Sequence, residues 1–220
     1  EPNSNELKKI FAINNSNYNN NLYSNCSSKI YNFINKNIKK FDIVLLLDYG
    51  HGLFNEDLIN LIQKKSKFLS VNCQTNGSNY GMNIIDKKYS KMNSFVVDKK
   101  EIDLSFSKET DENPEYYLSK LIKKLKANTG WLTIGPKFTL GSNKNKKITK
   151  IPALETNVVD TVGAGDAFFS ISSLLAKVKC NLDQSTFISQ IAGSIYTKKV
   201  SNKFSLKKED LMNHIKYYSK

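Results

Sequence analysis

A carboxylate beside a glycine turn is the chemistry-bearing feature of this chain. The run Asp160-Thr161-Val162-Gly163-Ala164-Gly165-Asp166 changes period in its middle. Residues 156–161 read as the end of a β-branched strand. After the run, Ala167, Phe168, Ile171, Leu174 and Leu175 recur at three- and four-residue steps, which predicts a helix. Gly163, Ala164 and Gly165 have almost no side chain, so a ligand can approach the main chain closely. The first amides of a helix have no carbonyl partner. The helix dipole places partial positive charge on them, so the turn should attract an anion such as a phosphate. Asp166 falls in the first helical turn, within reach of whatever those amides hold. Amides aimed at developing negative charge, next to a carboxylate base, are what phosphoryl transfer to a hydroxyl needs. The plainer alternative is a tight strand–helix turn in which Asp166 only caps the helix.

The elements that must position this turn alternate in type. Residues 1–22 are polar and Asn-rich around a small apolar patch at Leu7, Ile10 and Phe11, and read as a surface segment. Ser24 or Asn25 can cap a helix to about residue 40, with Cys26, Ile30, Phe33, Ile34 and Ile38 on one face. Residues 43–47 are continuously apolar, as in a parallel strand buried on both faces. That strand ends in Asp48-Tyr49-Gly50-His51-Gly52, and ligands of open α/β sheets bind beyond such strand ends. A helix follows over 55–65. Further strands are predicted at 68–71 and 94–97, ending in Asn72-Cys73-Gln74 and Asp98-Lys99-Lys100-Glu101. Pro114 opens a helix to about 127. Residues 131–134 form a strand ending at Gly135, with 138–141 as its hairpin partner and 144–147 as a charged turn. Residues 148–161 lead into the glycine turn. Helices over 164–178, 183–200 and 207–218 finish the chain. Strands alternating with helices predict an α/β fold with a mostly parallel sheet covered on both faces.

Composition bounds the rest. A chain of 220 residues, 40% hydrophobic and 24% charged, suits one globular domain with a real core. We expect a single domain over 1–220 with its core at 41–206. The chain begins at Glu1 without an initiator Met, so the expectation is part of a longer polypeptide. No apolar run reaches the length of a membrane span and no signal peptide is visible, which suggests a cytoplasmic protein. The net charge is +13, carried by scattered Lys with no Arg, and Asn is abundant from 14 to 25. This pattern reads as a composition bias rather than a nucleic-acid surface, which would favour the Arg fork. Cys26, Cys73 and Cys180 are odd in number and far apart, as buried thiols in a reducing compartment would be. With only His51 and His214, a histidine metal site is not expected.

The run Asp-Thr-x-Gly-Ala-Gly-Asp at 160–166 resembles the signature of the ribokinase-like (PfkB) carbohydrate kinases. The resemblance extends over about residues 41–206. It implies a ribokinase-like three-layer α/β/α fold, with ATP as phosphoryl donor and Mg²⁺ neutralising charge. It makes Gly163, Ala164 and Gly165 the anion hole and Asp166 the general base. The loop from Asp48 to Gly52 resembles the Asp-Tyr-x-Lys-Gly loop of the heptose-phosphate kinase branch, with His51 in place of Lys. Asn72-Cys73-Gln74 stands where the family has Asp-Pro-Lys. Asp48, His51 and Gln74 are therefore expected on the phosphate side, with one cation missing at Gln74. For His51 the alternative is a loop histidine held by hydrogen bonds.

Glu101 matches the Glu of Asn-x-x-Glu, which orders magnesium through water, whereas Asp98 departs from the Asn. For Glu101 the alternative is a solvated acid in a first helical turn. Thr133 and Gly135 match a Thr-x-Gly strand end beside the nucleotide. Thr161, Ala192, Gly193 and Tyr196 complete the expected nucleotide wall, with close packing as the alternative for the small helical residues. Nothing before Asp48 resembles the family's glycine-rich sugar motifs or lid. The expectation is an N-terminally truncated domain that, alone, binds adenine nucleotide weakly and phosphorylates no sugar at a useful rate. The activity implied is transfer of the γ-phosphoryl group of ATP to a hydroxyl of a sugar or sugar phosphate. A fused nucleotidyltransferase domain and a homodimer are the partners it allows. The alternatives are a non-catalytic nucleotide- or sugar-binding domain, and a nucleoside or vitamin-alcohol kinase of the same fold.

Overall fold

A computed structural model describes residues 20–77, 79–154, 158–198 and 205–218. The surface segment expected at 1–19 and the side chain of Cys26 lie outside this description. So do positions 156–157 of the expected strand end and 199–200 of the expected helix end.

Strands β1 (Val44–Asp48), β2 (Leu69–Cys73), β3 (Ser94–Asp98) and β4 (Thr129–Ile134) lie in chain order and run parallel. β5 (Phe138–Asn143) and β6 (Ile148–Pro152) extend the sheet antiparallel, giving the order β1-β2-β3-β4-β5-β6. Parallel neighbours need crossover connections, usually helical. α2 (Glu56–Lys65) links β1 to β2, and α3 (Ile85–Lys88) links β2 to β3. α4 (Lys99–Phe106) and α5 (Pro114–Lys124) together link β3 to β4. α1 (Asn20–Asn37) precedes the sheet, while α6 (Ala164–Lys177), α7 (Leu182–Thr197) and α8 (Lys208–Tyr218) follow it.

The period of two along β3 builds both faces. Phe95 and Val97 enter a core shared with Leu58 and Ile62 of α2 and with Leu118 and Leu121 of α5. Val96, between them, packs the other way, with Trp131, Phe168 and Phe169. Burying each such side chain contributes about 1.5–3 kcal/mol, so both layers hold the sheet. Hydroxyls pin α6 and α7 to it. Ser173 Oγ lies 2.6 Å from Ser70 Oγ, which also accepts from Ser94 Oγ at 2.8 Å. The Trp131 indole N–H donates to Thr186 Oγ1 at 3.0 Å.

Several boundaries differ from the sequence expectations. Residues 158–161 are not strand; they form the irregular approach to α6. The strand preceding that approach is β6, an edge strand whose Lys150 and Pro152 disguise it and suit an unpaired edge. α5 stops at Lys124 instead of 127. Lys126 takes a left-handed conformation (φ 50°), its N–H reaches the Lys123 carbonyl, and the Ala127 N–H reaches that of Ile122. This is a Schellman stop built on Lys where Gly is usual. α1 starts at Asn20, upstream of both expected caps. α3 and α4 were not among the expected helices, apart from the first helical turn weighed for Glu101.

Candidate active site

The turn that opens α6 is anchored from both sides. Gly163 is its N-cap in the left-handed region (φ 84°), which strains any residue with a Cβ. Asp160 Oδ1 accepts the Val162 N–H at 3.0 Å, and the Thr161 carbonyl accepts the Ala164 N–H at 3.2 Å. The N–H groups of Val159 and Asp160 donate to the Thr197 carbonyl at 2.8 and 3.2 Å, tying the turn to the end of α7. The Ala164 amide, expected in the anion hole, is thus engaged within the turn. The amides of Gly165 and Asp166 belong to the first helical turn, which no helical carbonyl precedes.

Both oxygens of Asp166 meet donors from the sheet's C-terminal end. The Gln74 amide, just after β2, donates from Nε2 to Oδ1 at 3.0 Å, and the Tyr49 hydroxyl, just after β1, donates to Oδ2 at 3.4 Å. Burial, then the Asp166 charge, push the Tyr49 phenol above its usual range, so it remains a donor. Asp166 therefore does more than cap its helix.

The neighbours of these donors are turned elsewhere. Asp48 is 1% exposed. It accepts from Lys88 Nζ at 2.6 Å, the Tyr89 hydroxyl at 2.7 Å and the Gly50 N–H at 2.9 Å. Asp48 was expected on the phosphate side. Successive side chains of extended chain point to opposite faces, so Tyr49 reaches the site and Asp48 turns inward to Lys88 and Tyr89. His51 is exposed on the same loop and, among the described residues, joins none of these bonds. Gln74, expected on the phosphate side, is held against Asp166.

Glu101 is 7% exposed and not a solvated acid. It forms a reciprocal capping box with Asp98. Its Oε2 accepts the Asp98 N–H at 2.9 Å and its Oε1 the Thr75 N–H at 3.1 Å. Burial first, then the charge of Asp98, push its carboxyl up to about 8. Among the described residues no group of three or more His, Cys, Asp or Glu side chains could hold a metal ion. Glu101 gives both oxygens to backbone amides, and among the described residues it joins no such cage. Magnesium bound through substrate phosphates and its own waters needs no such cage.

A cleft of about 730 Å³ opens beyond the ends of β3 and β4. It gathers Thr133, Gly135, Thr161, Ala164, Gly165 and Gly193, all singled out from sequence. On α7, Gln190, Gly193, Ser194 and Thr197 face it at the i, i+3, i+4, i+7 spacing of one helix face. Ala192 and Tyr196 belong to another face, which corrects their expected place in the nucleotide wall. Ala192 is fully buried, and Tyr196 lines a separate recess of about 390 Å³ shared with Gly163, Asp166 and Leu206. The turn thus stands between two spaces, with Gly165 on the large cleft and Asp166 on the recess. Tyr49, Gln190, Lys99 and Lys100 were not anticipated. The last two line the large cleft from the start of α4; Lys99 pairs with Asp103 and Asp111, and Lys100 is exposed. The polar 3–4 spacing along α7 could have revealed Gln190. No local signal could have joined Tyr49 to Asp166.

A mostly parallel sheet, a glycine turn opening a helix and a carboxylate at the strand ends define the ribokinase-like class of α/β proteins. Phosphofructokinase-2 from Escherichia coli shares the fold with a TM-score of 0.69 at 17% identity, over 86% of this chain and 62% of that one. Ribokinase from Thermotoga maritima matches with a TM-score of 0.66 at 18% identity, over 83% and 59%. The chain belongs to the pfkB family of carbohydrate kinases, whose model matches residues 5–207. Two curated relatives are the bifunctional protein HldE of Campylobacter fetus, 27% identical over 168 residues, and that of Helicobacter hepaticus, 24% identical over 169. These alignments cover 74% and 75% of this chain and 34% of each relative. The chain therefore spans about a third of the length of those curated relatives.

Proposed function

We propose that the full-length protein transfers the γ-phosphoryl group of ATP to a hydroxyl of a sugar or sugar phosphate. The observation that supports this most is the placement of the glycine turn between the large cleft and a clamped carboxylate. The cleft has the size of a small-ligand site. Thr133, Gly135 and the α7 face around Gly193 would flank the nucleotide. The first-turn amides of α6 would face the transferred group. Asp166 takes the proton of the acceptor hydroxyl as that oxygen bonds to the γ-phosphorus; the bond from phosphorus to the β,γ-bridging oxygen breaks and ADP leaves. Lys100 adds positive charge at the cleft mouth on the phosphate side. Mg²⁺ held through the nucleotide's phosphates would neutralise charge there.

A heptose phosphate is the acceptor class that the Asp48 loop resemblance favours. Because the curated relatives are called bifunctional, a second catalytic unit joined to this one is proposed as well. A cytoplasmic setting suits the thiols of Cys73 and Cys180, both free; among the described residues no helix is long and apolar enough to cross a membrane. The test is an ATP-dependent transfer assay over sugars, sugar phosphates and heptose phosphates, beside calorimetry with ATP. Transfer to one of them supports the reading. Nucleotide binding without transfer to any acceptor replaces it with a binding domain.

A further inference from the structure

We infer that Gln74 is a positioning residue that fixes Asp166 as a base, holding one carboxylate oxygen and leaving the other for the acceptor hydroxyl. The inference rests on the kinase reading above. The Gln74 amide donates twice from Nε2, to Asp166 Oδ1 at 3.0 Å and to Asn72 Oδ1 at 2.8 Å. Asn72 is 7% exposed, and its Nδ2 donates to the Val96 carbonyl of β3 at 3.1 Å. A relay of side-chain amides thus runs from the central sheet to the carboxylate. It orients Asp166 against a rigid element rather than against a loop, which is what a reacting group needs.

The second oxygen is held differently. Its only donor among the described residues is the Tyr49 hydroxyl, at 3.4 Å, from a side chain that is 41% exposed. So long a bond is weak, and an acceptor hydroxyl arriving at Oδ2 can take its place. The two oxygens are therefore unequal: Oδ1 is anchored, and Oδ2 is open to exchange for substrate. Sequence spacing gave Gln74 no such part, since it stands 92 positions from Asp166.

The experiment is a double-mutant cycle in the full-length protein. Gln74→Met keeps the length of the side chain without its donors, and Gln74→Leu is the second variant if Met unsettles the fold by circular dichroism. Each is combined with Asp166→Ala, and kcat, the KM for ATP and the urea midpoint are measured. A misplaced reacting group costs up to about 100-fold. We expect Gln74→Met to lower kcat about 10- to 100-fold with the KM for ATP unchanged, and to lower it no further once Asp166 is Ala. Coupling in urea stability with independent effects on kcat would overturn the inference while leaving the kinase reading intact. A raised KM for ATP at unchanged kcat would also overturn it, by placing Gln74 on the nucleotide. Absence of transfer by the unmodified protein to every acceptor tested would overturn the kinase reading, and the inference with it.

Discussion

Gly163 and Gly165 do different work two residues apart. Gly165 has no positive φ, and a Cβ built on it meets nothing within 4 Å. Gly165→Val should therefore fold normally and lose phosphoryl transfer, because the branched side chain fills the cleft where phosphate oxygens approach. Circular dichroism and a transfer assay on one preparation check this, and normal turnover would contradict it. Gly163→Ala should instead cost stability, about 1–2 kcal/mol, through its left-handed backbone. Glu101 supports a pH prediction. Its carboxyl lies at about 8 in the folded chain against an ordinary 4.5, so the native state keeps a proton that the unfolded state releases between those values. Its contribution to stability is fully present below pH 4.5 and lost as pH rises to about 8. Urea midpoints should fall over that window in the unmodified chain, and the fall should be smaller in Glu101→Gln; equal slopes would contradict it. At this scale the sequence was most legible where chemistry is local. Asp166 and its glycines are contiguous and stand out together, whereas the hydrogen bonds that bring Tyr49 and Gln74 to Asp166 span 117 and 92 positions.

Between elements, the close approach of α7 to α6 builds the cleft. A Cβ on Gly193 would lie 3.3 Å from the Ala164 carbonyl oxygen, tighter than ordinary van der Waals contact. Gly193→Val should push α7 away from the turn, costing about 1–3 kcal/mol as overpacking does and raising the KM for ATP more than it lowers kcat. Thermal denaturation and steady-state kinetics measure the two effects. An unchanged Tm with unchanged KM would show that the helices are not held that closely. Gly193 both packs against the turn and lines the cleft. The period of apolar residues located β1 to β5 and the long helices. It missed β6, where Lys150 and Pro152 interrupt the apolar pattern, and it overran α5, whose stop uses Lys126 where Gly would have announced it. The rotation of α7 was not legible either, so Ala192 and Tyr196 were grouped with Gly193 although the helix turns them away.

The whole molecule places its candidate site groups at one end of a two-faced sheet. Parallel strands end together, so the loops after β1 and β2, the start of α4 and the turn before α6 converge. Among the described residues, Lys99 and Lys100 bring part of the scattered Lys charge to the cleft. Fold class was readable because alternating strands and helices permit few arrangements. The division of the site into a cleft and a recess was not, because it depends on which way single side chains turn at the strand ends. The central claim is that Asp166 is the base of a phosphoryl transfer, and the most direct test is a steady-state assay of Asp166→Asn in the full-length protein with the best acceptor found. The account predicts kcat lowered roughly 10²–10⁴-fold, the usual worth of a positioned general base, with ATP affinity by calorimetry little changed. Near-normal turnover in the Asn variant would contradict it.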